Sequence, residues 1–225
     1  MKLVVILNVN PDENINTKII NNREYTRRSL KRILLDGFSG FIENIVFYDN
    51  FEQFKENVHK HLDDFVLNFD FGYKSRTRNM SVPAFCENYN IKYFNPDPYV
   101  QVICQDKFIT KKFAENFEIK TPQSILVFSH SYDKKLLDNL NYPVIIKPNY
   151  ESESIGITQN SIVSNIEQAD FLVNQLLKEF DGILIEEYIV GNEIAITIFG
   201  NDKDLFFEEV ELCFPMGENF TYKAY

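Results

Sequence analysis

The chain has 225 residues, a formal net charge of −10, and 44% hydrophobic and 25% charged side chains. This length can form one large domain or two to three smaller ones, and the composition is ordinary for a globular α/β protein. Two classes are excluded: the acidic balance disfavours nucleic-acid binding, and no apolar run approaches the roughly 20 residues of a membrane helix.

The three cysteines, Cys86, Cys104 and Cys213, are widely spaced and contain no CxxC pair. This pattern predicts reduced thiols in a protein core and a cytoplasmic location. The apolar stretch at the N-terminus meets Asn and Asp within a few residues and lacks the cleavage site of a signal peptide. We therefore interpret it as a buried first strand.

Strands and helices alternate in the first part of the sequence. Residues 3–7 are continuously apolar, which is typical of a strand covered on both faces. This alternation predicts a parallel sheet with right-handed crossovers. The other predicted elements are a helix at 24–35, a strand at 43–49, a helix over 51–62, a strand at 64–70, a helix from Ser81 with Pro83 in its first turn, and a short strand in "IKYFNPDP".

The Pro96-Asp97-Pro98 turn is the first predicted domain boundary. Beyond it, an apolar stripe predicts a clear helix at 165–180, and Ser164 with Glu167 predicts a capping box at its start. The segment from Gly182 alternates strongly and turns at Gly200-Asn201-Asp202, which predicts antiparallel strands. The remaining predictions are helices at 106–117 and 132–140 and strands at 124–128 and 143–147.

Several well-known site motifs are absent from the sequence. It has no GxxxxGK[ST] phosphate loop, no GxGxxG after the first strand, and no GxSxG. His59 and His61 are two apart on a predicted helix, so they point to different faces. We expect both histidines to be solvated and predict no metal site.

What remains is an ordered set of polar segments that suits ATP: Asp106-Lys107, Lys147 at a strand end, a Ser-rich loop to Gly156, and "ILIEEYIVGNEI". Two lysines from separate elements can bracket a triphosphate. A flexible loop can cover it with hydroxyl and backbone N–H groups. The alternative reading of Lys147 is a strand-end lysine that extends to water.

At these segments the sequence resembles the ATP-grasp superfamily and, within it, the D-alanine–D-alanine ligases. "YPVIIKPNYESESIGI" is similar to the family's PVIVKPxxEGSSVGI loop, and "ILIEEYIVGNEIAITIFGN" resembles its VLIExxxxGxEhTVxhhGN hinge and hairpin, where h is apolar. "QDKFITKKFAENFEIKTP" and "VPAFCENYNIKYFNPDP" resemble two further segments. The resemblance covers roughly residues 64–225.

The resemblance implies the fold class and the domain organisation. The expected fold is α/β, with a Rossmann-like N-terminal (pre-ATP-grasp) domain, then an ATP-grasp lid and the start of a second half built on an antiparallel sheet. The implied boundaries are 1–95, 96–182 and 183–225.

The resemblance also implies a reaction and a set of binding residues. The reaction joins a carboxylate to an amine through an acyl-phosphate, with release of ADP and phosphate, and the site works by positioning and charge neutralisation. We therefore assign no catalytic side chain. The residues carried over are Lys107 and Lys147 for the ATP phosphates, Ser154 in the phosphate-covering loop, Glu186, Glu187 and Ile189 for adenine, and Glu193 for ribose.

Three departures from the family pattern keep alternatives open. Glu153 replaces a serine, Tyr225 falls where the family has a phosphate-contacting lysine, and the segment that would bind Mg²⁺ is not found before the sequence stops. The alternatives are a non-catalytic ATP-grasp-like module that binds a nucleotide or a partner chain, and one half of a split ligase. The expected partners are small amino-acid or peptide-like substrates, with a homodimer or a complementing C-terminal chain as protein partner.

Arg76 and Arg78 follow the third predicted strand, at the end of the sheet where open α/β sheets bind ligands. Two readings stay open for this pair, a role in binding a carboxylate and a solvated loop. We expect the solvated loop.

Overall fold

The computed structural model describes residues 1–7, 26–70, 76–152, 154–201 and 203–212. Glu153 and Tyr225, the two substitutions noted in the family pattern, lie outside these residues. The chain forms two compact units, Met1–Ile119 with Asn149–Ile155, and Lys120–Pro148 with Gly156–Ala224. The boundaries expected at residues 95/96 and 182/183 concern the subdomains of the family and stay a prediction.

A parallel sheet forms the centre of the first unit. Its strands are β1 (Leu3–Ile6), β2 (Ile45–Tyr48), β3 (Phe65–Asn68) and β4 (Lys92–Phe94), in the order β2-β1-β3-β4. Val4 lies opposite Val46 on one side and Val66 on the other. All four residues of β1 are buried, as its unbroken apolar run requires, and the predicted parallel sheet is confirmed.

Helices cover both faces of this sheet. They are α1 (Arg27–Gly37), α2 (Phe51–Asn57) and α3 (Ser81–Asn88), and a 3₁₀ turn at Val58–Lys60 follows α2. On one face Phe54 and Val82 pack against Val4 and Val66. On the other face Leu30 packs against Leu3, Val5 and Leu7. Because the helices cover both faces and the strands are parallel, the carboxyl ends of β2 and β3 lie together at the same end of the sheet.

Two helices follow the strand β4, and the sequence predicted only the second of them. The helix α4 (Pro98–Gln105) begins inside the Pro-Asp-Pro turn, and α5 (Lys107–Glu115) follows directly. The Asp97 side chain accepts a hydrogen bond from the Val100 N–H at 2.9 Å, and Pro98 occupies the first helical position. A proline there loses no helical hydrogen bond, so this turn is a helix start.

The second unit contains an antiparallel sheet. Its strands are β5 (Ser124–Val127), β6 (Val144–Pro148), β7 (Ile162–Val163) and β8 (Ile183–Glu187), in the order β5-β8-β6-β7. The sequence did not predict β7. The α-helix expected at 132–140 is instead a 3₁₀ helix at Lys134–Asn139. On one face of this sheet, apolar residues of the strands and of the helix that follows β7 form the buried core: Val144, Ile146, Val163, Ala169, Val173, Ile183 and Ile185.

The helix that covers this face is α6 (Ile166–Leu176), and its cap lies one residue beyond the predicted one. The Asn165 side chain accepts from the Gln168 N–H at 3.0 Å, and the Gln168 side-chain oxygen accepts from the Ser164 N–H at 3.0 Å. The predicted Ser164–Glu167 box is therefore wrong. An Asn side chain satisfies the first-turn N–H groups as well as a Ser side chain does, so the two registers are nearly equivalent in sequence.

The hairpin of β9 (Glu193–Phe199) and β10 (Phe206–Leu212) is antiparallel, with Phe199 opposite Phe206, as the alternating pattern predicted. None of the helices in the described part of the chain is long and apolar enough to cross a membrane.

The cysteine prediction is half right. Cys86 is fully buried, and burial raises the pKa of its thiol to about 12, with a smaller contribution from the charge of Glu87. Cys104 is exposed, so its predicted core position is wrong. Cys213 lies outside the described residues.

Candidate functional site

Lys147 lies near the end of β6, on the face of the sheet opposite to the core beneath α6. Antiparallel pairing sets Ile145 opposite Glu186 and Lys147 opposite Leu184, so Lys147 and Glu186 are diagonal neighbours on that face. Lys147 Nζ donates to Glu186 Oε1, and the two side chains are 20% and 10% exposed. The structure thus brings together two of the predicted site residues as an ion pair.

This pair fixes a cation at the strand end. Both charges are largely removed from water, which is costly for either one alone but far less so for the two together. The ammonium therefore has a defined orientation and sits just before the Ser-rich loop. An anionic group that offers Lys147 a further acceptor would find this cation already ordered, with no need to immobilise a free lysine side chain.

Glu187 points to the other side of the sheet, as the strand period of two requires. Its Oε1 accepts from the Asn141 side-chain amide at 2.6 Å and from the Asn141 N–H at 3.3 Å. Beyond the strand, Ile189 is 65% exposed, and Glu193 is exposed at the start of β9. Ile189, between β8 and β9, and Glu193, at the start of β9, are thus both at the surface of the second unit.

Lys107 is the first residue of α5, and its ammonium meets main-chain carbonyl groups. Lys107 Nζ donates to Asn149 O at 3.2 Å and to Glu151 O. Asp106 caps the helix and also accepts from the Asn149 amide at 2.8 Å, while Asn149 Oδ1 accepts from the Phe108 N–H at 2.9 Å. The Asp-Lys pair is therefore built around the fully buried Asn149.

The Ser-rich loop contains a tight turn with two left-handed residues. Ser154 has φ +59° and Gly156 has φ +77°, and the Ile155 N–H donates to Ser152 O at 3.0 Å. A Cβ on Gly156 would lie 2.5 Å from Pro148 Cγ and 3.2 Å from the Phe180 ring. The glycine is required both for its φ and for this close approach.

Arg78 contradicts the expectation of a solvated loop. Its side chain is 11% exposed, and Nη2 donates to Tyr150 O at 2.8 Å and to Glu151 Oε2 at 3.1 Å. Arg76 lies over the Tyr150 ring at 5.6 Å and donates to its hydroxyl at 3.3 Å. Arg78 does bind a carboxylate, but that carboxylate belongs to the protein.

A cleft of about 210 Å³ lies in the first unit, beside the carboxyl ends of β2 and β3. In this cleft the buried carboxylate of Asp70 accepts a hydrogen bond from the Phe51 N–H, with a distance of 2.9 Å. Its position after β3 made Arg78 a candidate, although a solvated loop was expected, whereas Asn50 and Asp70 carried no motif that marked them as candidates. The lining residues are Asn50, Phe51, Glu52, Asp70, Arg78, Ser81 and Val82.

The histidine expectation fails for His61, which is 3% exposed. Its Nδ1 lies 2.9 Å from Asp64 Oδ2 and its Nε2 lies 2.7 Å from the Tyr48 hydroxyl. Burial acts to raise the pKa of Asp64, but the hydrogen bonds from His61 and the Lys2 N–H, with their charges, outweigh it and hold this pKa below its ordinary value. Within the described ranges, no group of three or more His, Cys, Asp or Glu side chains could hold a metal ion.

The remaining prediction, that Lys107 and Lys147 bracket one polyphosphate, concerns a residue of each unit and stays a prediction. Glu153 lies outside the described residues.

The chain is similar to known proteins in sequence and in fold. Residues 115–224 match the family described as D-ala D-ala ligase C-terminus. The D-alanine--D-alanine ligase of Petrotoga mobilis is 30% identical over 159 residues, which are 71% of this chain and 49% of that protein. The chain thus spans about half the length of the curated relatives it matches.

Two solved structures share the fold. The VanG D-Ala:D-Ser ligase from Enterococcus faecalis matches with a TM-score of 0.69 and 17% identity, over 100% of this chain and 73% of that one. The D-alanine--D-alanine ligase from Bacillus anthracis, complexed with ATP, matches with a TM-score of 0.63 and 19% identity, over 95% and 72%.

Proposed function

Because the chain is a relative of the D-alanine–D-alanine ligases and has their ATP-grasp fold, we propose that it belongs to an ATP-dependent carboxylate–amine ligase. The observation that carries this proposal is the Lys147–Glu186 pair. It puts an ordered ammonium at the end of β6, directly before the Ser-rich loop and beside β8, the strand that leads to the exposed Ile189. The same order of lysine, loop and hinge defines the ligase motifs in the sequence.

The proposed reaction has two steps. An oxygen of the acid substrate attacks the γ-phosphorus of ATP, and the bond from that phosphorus to the ADP oxygen breaks. The amine nitrogen then attacks the carbonyl carbon of the acyl-phosphate, phosphate leaves with the bonding electrons, and the nitrogen loses a proton. The substrates are small amino acids or peptide-like molecules, and a cytoplasmic location belongs to the same proposal.

The protein's contribution is to bind ATP and neutralise charge. Lys107 and Lys147 would contact the phosphates, and the loop with Ser154 would cover them. Adenine would meet Glu186, Glu187 and Ile189 at the hinge, and Glu193 would accept from the ribose hydroxyls. The three-part division at residues 1–95, 96–182 and 183–225 is part of this proposal.

Magnesium belongs to the proposal only through the resemblance of the sequence motifs to the family. In the part of the chain that the structure describes, no cluster of carboxylates fits a metal ion. We therefore assign no Mg²⁺ ligand to these residues.

The test is to incubate the purified chain with ATP, Mg²⁺ and D-alanine, to measure ADP release with a coupled assay, and to identify the product by mass spectrometry. We expect ADP release that requires the amino acid and a product with a new amide bond. Lys147→Met should abolish the release, whereas Lys112→Met, the same change at an exposed ion pair with Glu115, should not. A folded chain that releases no ADP with any pair of amino acids would favour a non-catalytic module instead.

A further inference from the structure

Three consecutive main-chain carbonyls after β6 are bound by side chains of the first unit. Lys107 Nζ donates to the carbonyls of Asn149 and Glu151, and Gln105 Nε2 donates to that of Tyr150. Arg78 Nη2 donates to the same Tyr150 carbonyl at 2.8 Å. We call this arrangement, Arg78, Gln105 and Lys107 around residues 149–151, the carbonyl clamp.

Arg78 also binds a carboxylate, that of Glu151. The same nitrogen that meets the Tyr150 carbonyl lies 3.1 Å from Glu151 Oε2, and the Arg78 and Glu151 side chains are 11% and 21% exposed. A guanidinium presents its donors in a rigid plane, whereas an ammonium is a point charge on a flexible stem. Arg78 therefore fixes the direction of the chain at residues 150 and 151 as well as its position.

A second contact supports this role. Arg78 begins a 3₁₀ helix, Arg78–Met80. The side-chain amide of the next residue, Asn79, donates to Gln105 Oε1, and Gln105 in turn donates to Tyr150 O. Arg78 and Asn79 of this short helix thus both act on the Tyr150 carbonyl, Arg78 directly and Asn79 through Gln105.

The Ser-rich loop starts at the residue after the clamp. Its turn is closed by the Ile155 N–H on Ser152 O at 3.0 Å and contains Ser154 in the left-handed region at φ +59°. A loop whose base is already ordered loses less conformational entropy when it closes on a ligand. The state of the clamp should therefore control both the order of the loop and its affinity for what it covers.

We infer that Arg78 is a positioning residue that, by holding the Tyr150 carbonyl and the Glu151 carboxylate, fixes the base of the Ser-rich loop for contact with the nucleotide phosphates. The claim that Arg78 orders the loop rests on the contacts within the first unit. The claim that the loop then contacts nucleotide phosphates rests on the proposed function.

The experiment compares Arg78→Gln with Arg27→Gln in the full chain. Arg27 is the control because it is in the same unit and forms an ion pair with Asp49 at 3.5 Å, with side chains 28% and 38% exposed. Amide hydrogen exchange at Ile155 reports loop order, urea unfolding reports global stability, and titration calorimetry with ATP reports affinity. Arg78→Lys tests whether charge without the planar group is sufficient.

We expect Arg78→Gln to speed exchange at Ile155 by about tenfold or more and to weaken ATP binding by about tenfold, since the charge-assisted hydrogen bonds to Tyr150 O and Glu151 Oε2 are lost. Arg27→Gln should change neither. Arg78→Lys should fall between wild type and Arg78→Gln, because it keeps the charge but not the planar donors. If Arg78→Gln does not fold, Glu151→Gln removes the same ion pair and should give a smaller change in the same direction.

Exchange at Ile155 that is the same in Arg78→Gln and Arg27→Gln overturns the inference. Faster exchange with unchanged ATP affinity overturns the part that concerns the nucleotide. A wild-type chain that is folded but binds no ATP refutes the proposed function, and the exchange comparison still decides the role of Arg78 in the loop.

Discussion

Lys147 and Glu186 show how one residue pair combines stability with a candidate function. Each charge has lost most of its contact with water, so each depends on the other. A phosphate that binds Lys147 would add a negative charge beside Glu186. The pair can therefore bind a phosphate best when a further cation shares its charge, which is the role proposed for Lys107.

The first prediction concerns this pair. Lys147→Met should lower the free energy of unfolding by about 2–3 kcal/mol, because it removes the ammonium that pairs with the largely buried Glu186 carboxylate. The double variant Lys147→Met with Glu186→Leu should regain most of that loss, since both charges of the pair are removed. Urea unfolding of the three proteins measures both effects.

Lys112→Met is the matched control, because Lys112 pairs with Glu115 while about half of each side chain stays exposed. Its effect should stay below about 1 kcal/mol. Equal losses in Lys147→Met and in the double variant would show that the pair does not act as a unit.

The second prediction concerns Asp64. Its pKa in the folded protein lies below the ordinary value of 3.8, so its stabilising effect is complete above that value and is lost as the pH falls through the folded pKa. The difference in unfolding free energy between wild type and Asp64→Asn should shrink as the pH falls below about 4. Urea unfolding at a series of acid pH values measures it.

The neighbouring carboxylate gives the control for this measurement. Asp63 is exposed, so Asp63→Asn should follow the wild-type curve. A difference between wild type and Asp64→Asn that grows in acid would contradict the sign of the pKa shift.

The conformation of the Ser-rich loop depends on Gly156, which has a positive φ and lies close to Pro148. Gly156→Ala should destabilise the protein by about 1–3 kcal/mol, because the added methyl group meets the rigid Pro148 ring and φ is positive. Gly37→Ala is the control, since a Cβ there meets nothing within 4 Å. Thermal or urea unfolding compares the two, and equal effects would show that the close approach at Gly156 is not tight.

The β9–β10 hairpin gives a prediction about local stability. Its residues 193–199 and 203–210 are exposed, and two-stranded hairpins are marginally stable without further strands or a packed face. We expect its amides to exchange hydrogen faster than those of β6 and β8, whose core residues are buried. Equal protection in hydrogen exchange of the full chain would contradict this.

The sequence predicted the elements whose signals are local. The buried strand at residues 3–7 and the β9–β10 alternation have periodicities that a single segment displays. The helix α4 was missed because Pro96-Asp97-Pro98 was interpreted as a turn, although a capping Asp before a Pro is also a helix start. At the cap of α6, Ser164 and Asn165 compete with nearly equal propensity.

The site was predicted only in part, for a different reason. Family motifs and strand ends singled out Lys107 and Lys147, but their partners depend on register and on packing between distant segments. Glu186 meets Lys147 because of a diagonal relation across β6 and β8. Arg78 was expected in water because its partner Glu151 is 73 residues away in the sequence. His61 was expected in water although Asp64 is three residues away, because its burial and its contact with Tyr48 depend on packing.

At the scale of the whole molecule, the net charge of −10 repels a polyanion such as ATP. A nucleotide site must therefore rely on local cations. The two candidate lysines lie in different units, so the proposed ATP site requires both of them to bind the same phosphates.

Titration calorimetry of ATP into wild type, Lys107→Met, Lys147→Met and Lys112→Met tests whether both lysines bind the same phosphates, with folding of each variant checked by circular dichroism. We expect wild type and the Lys112 control to bind one ATP with similar affinity. Each of the other two variants should bind ATP at least about tenfold more weakly, since each loses a charge-assisted phosphate contact. Wild-type affinity in both Lys107→Met and Lys147→Met, or no binding by folded wild type, would refute the shared phosphate site.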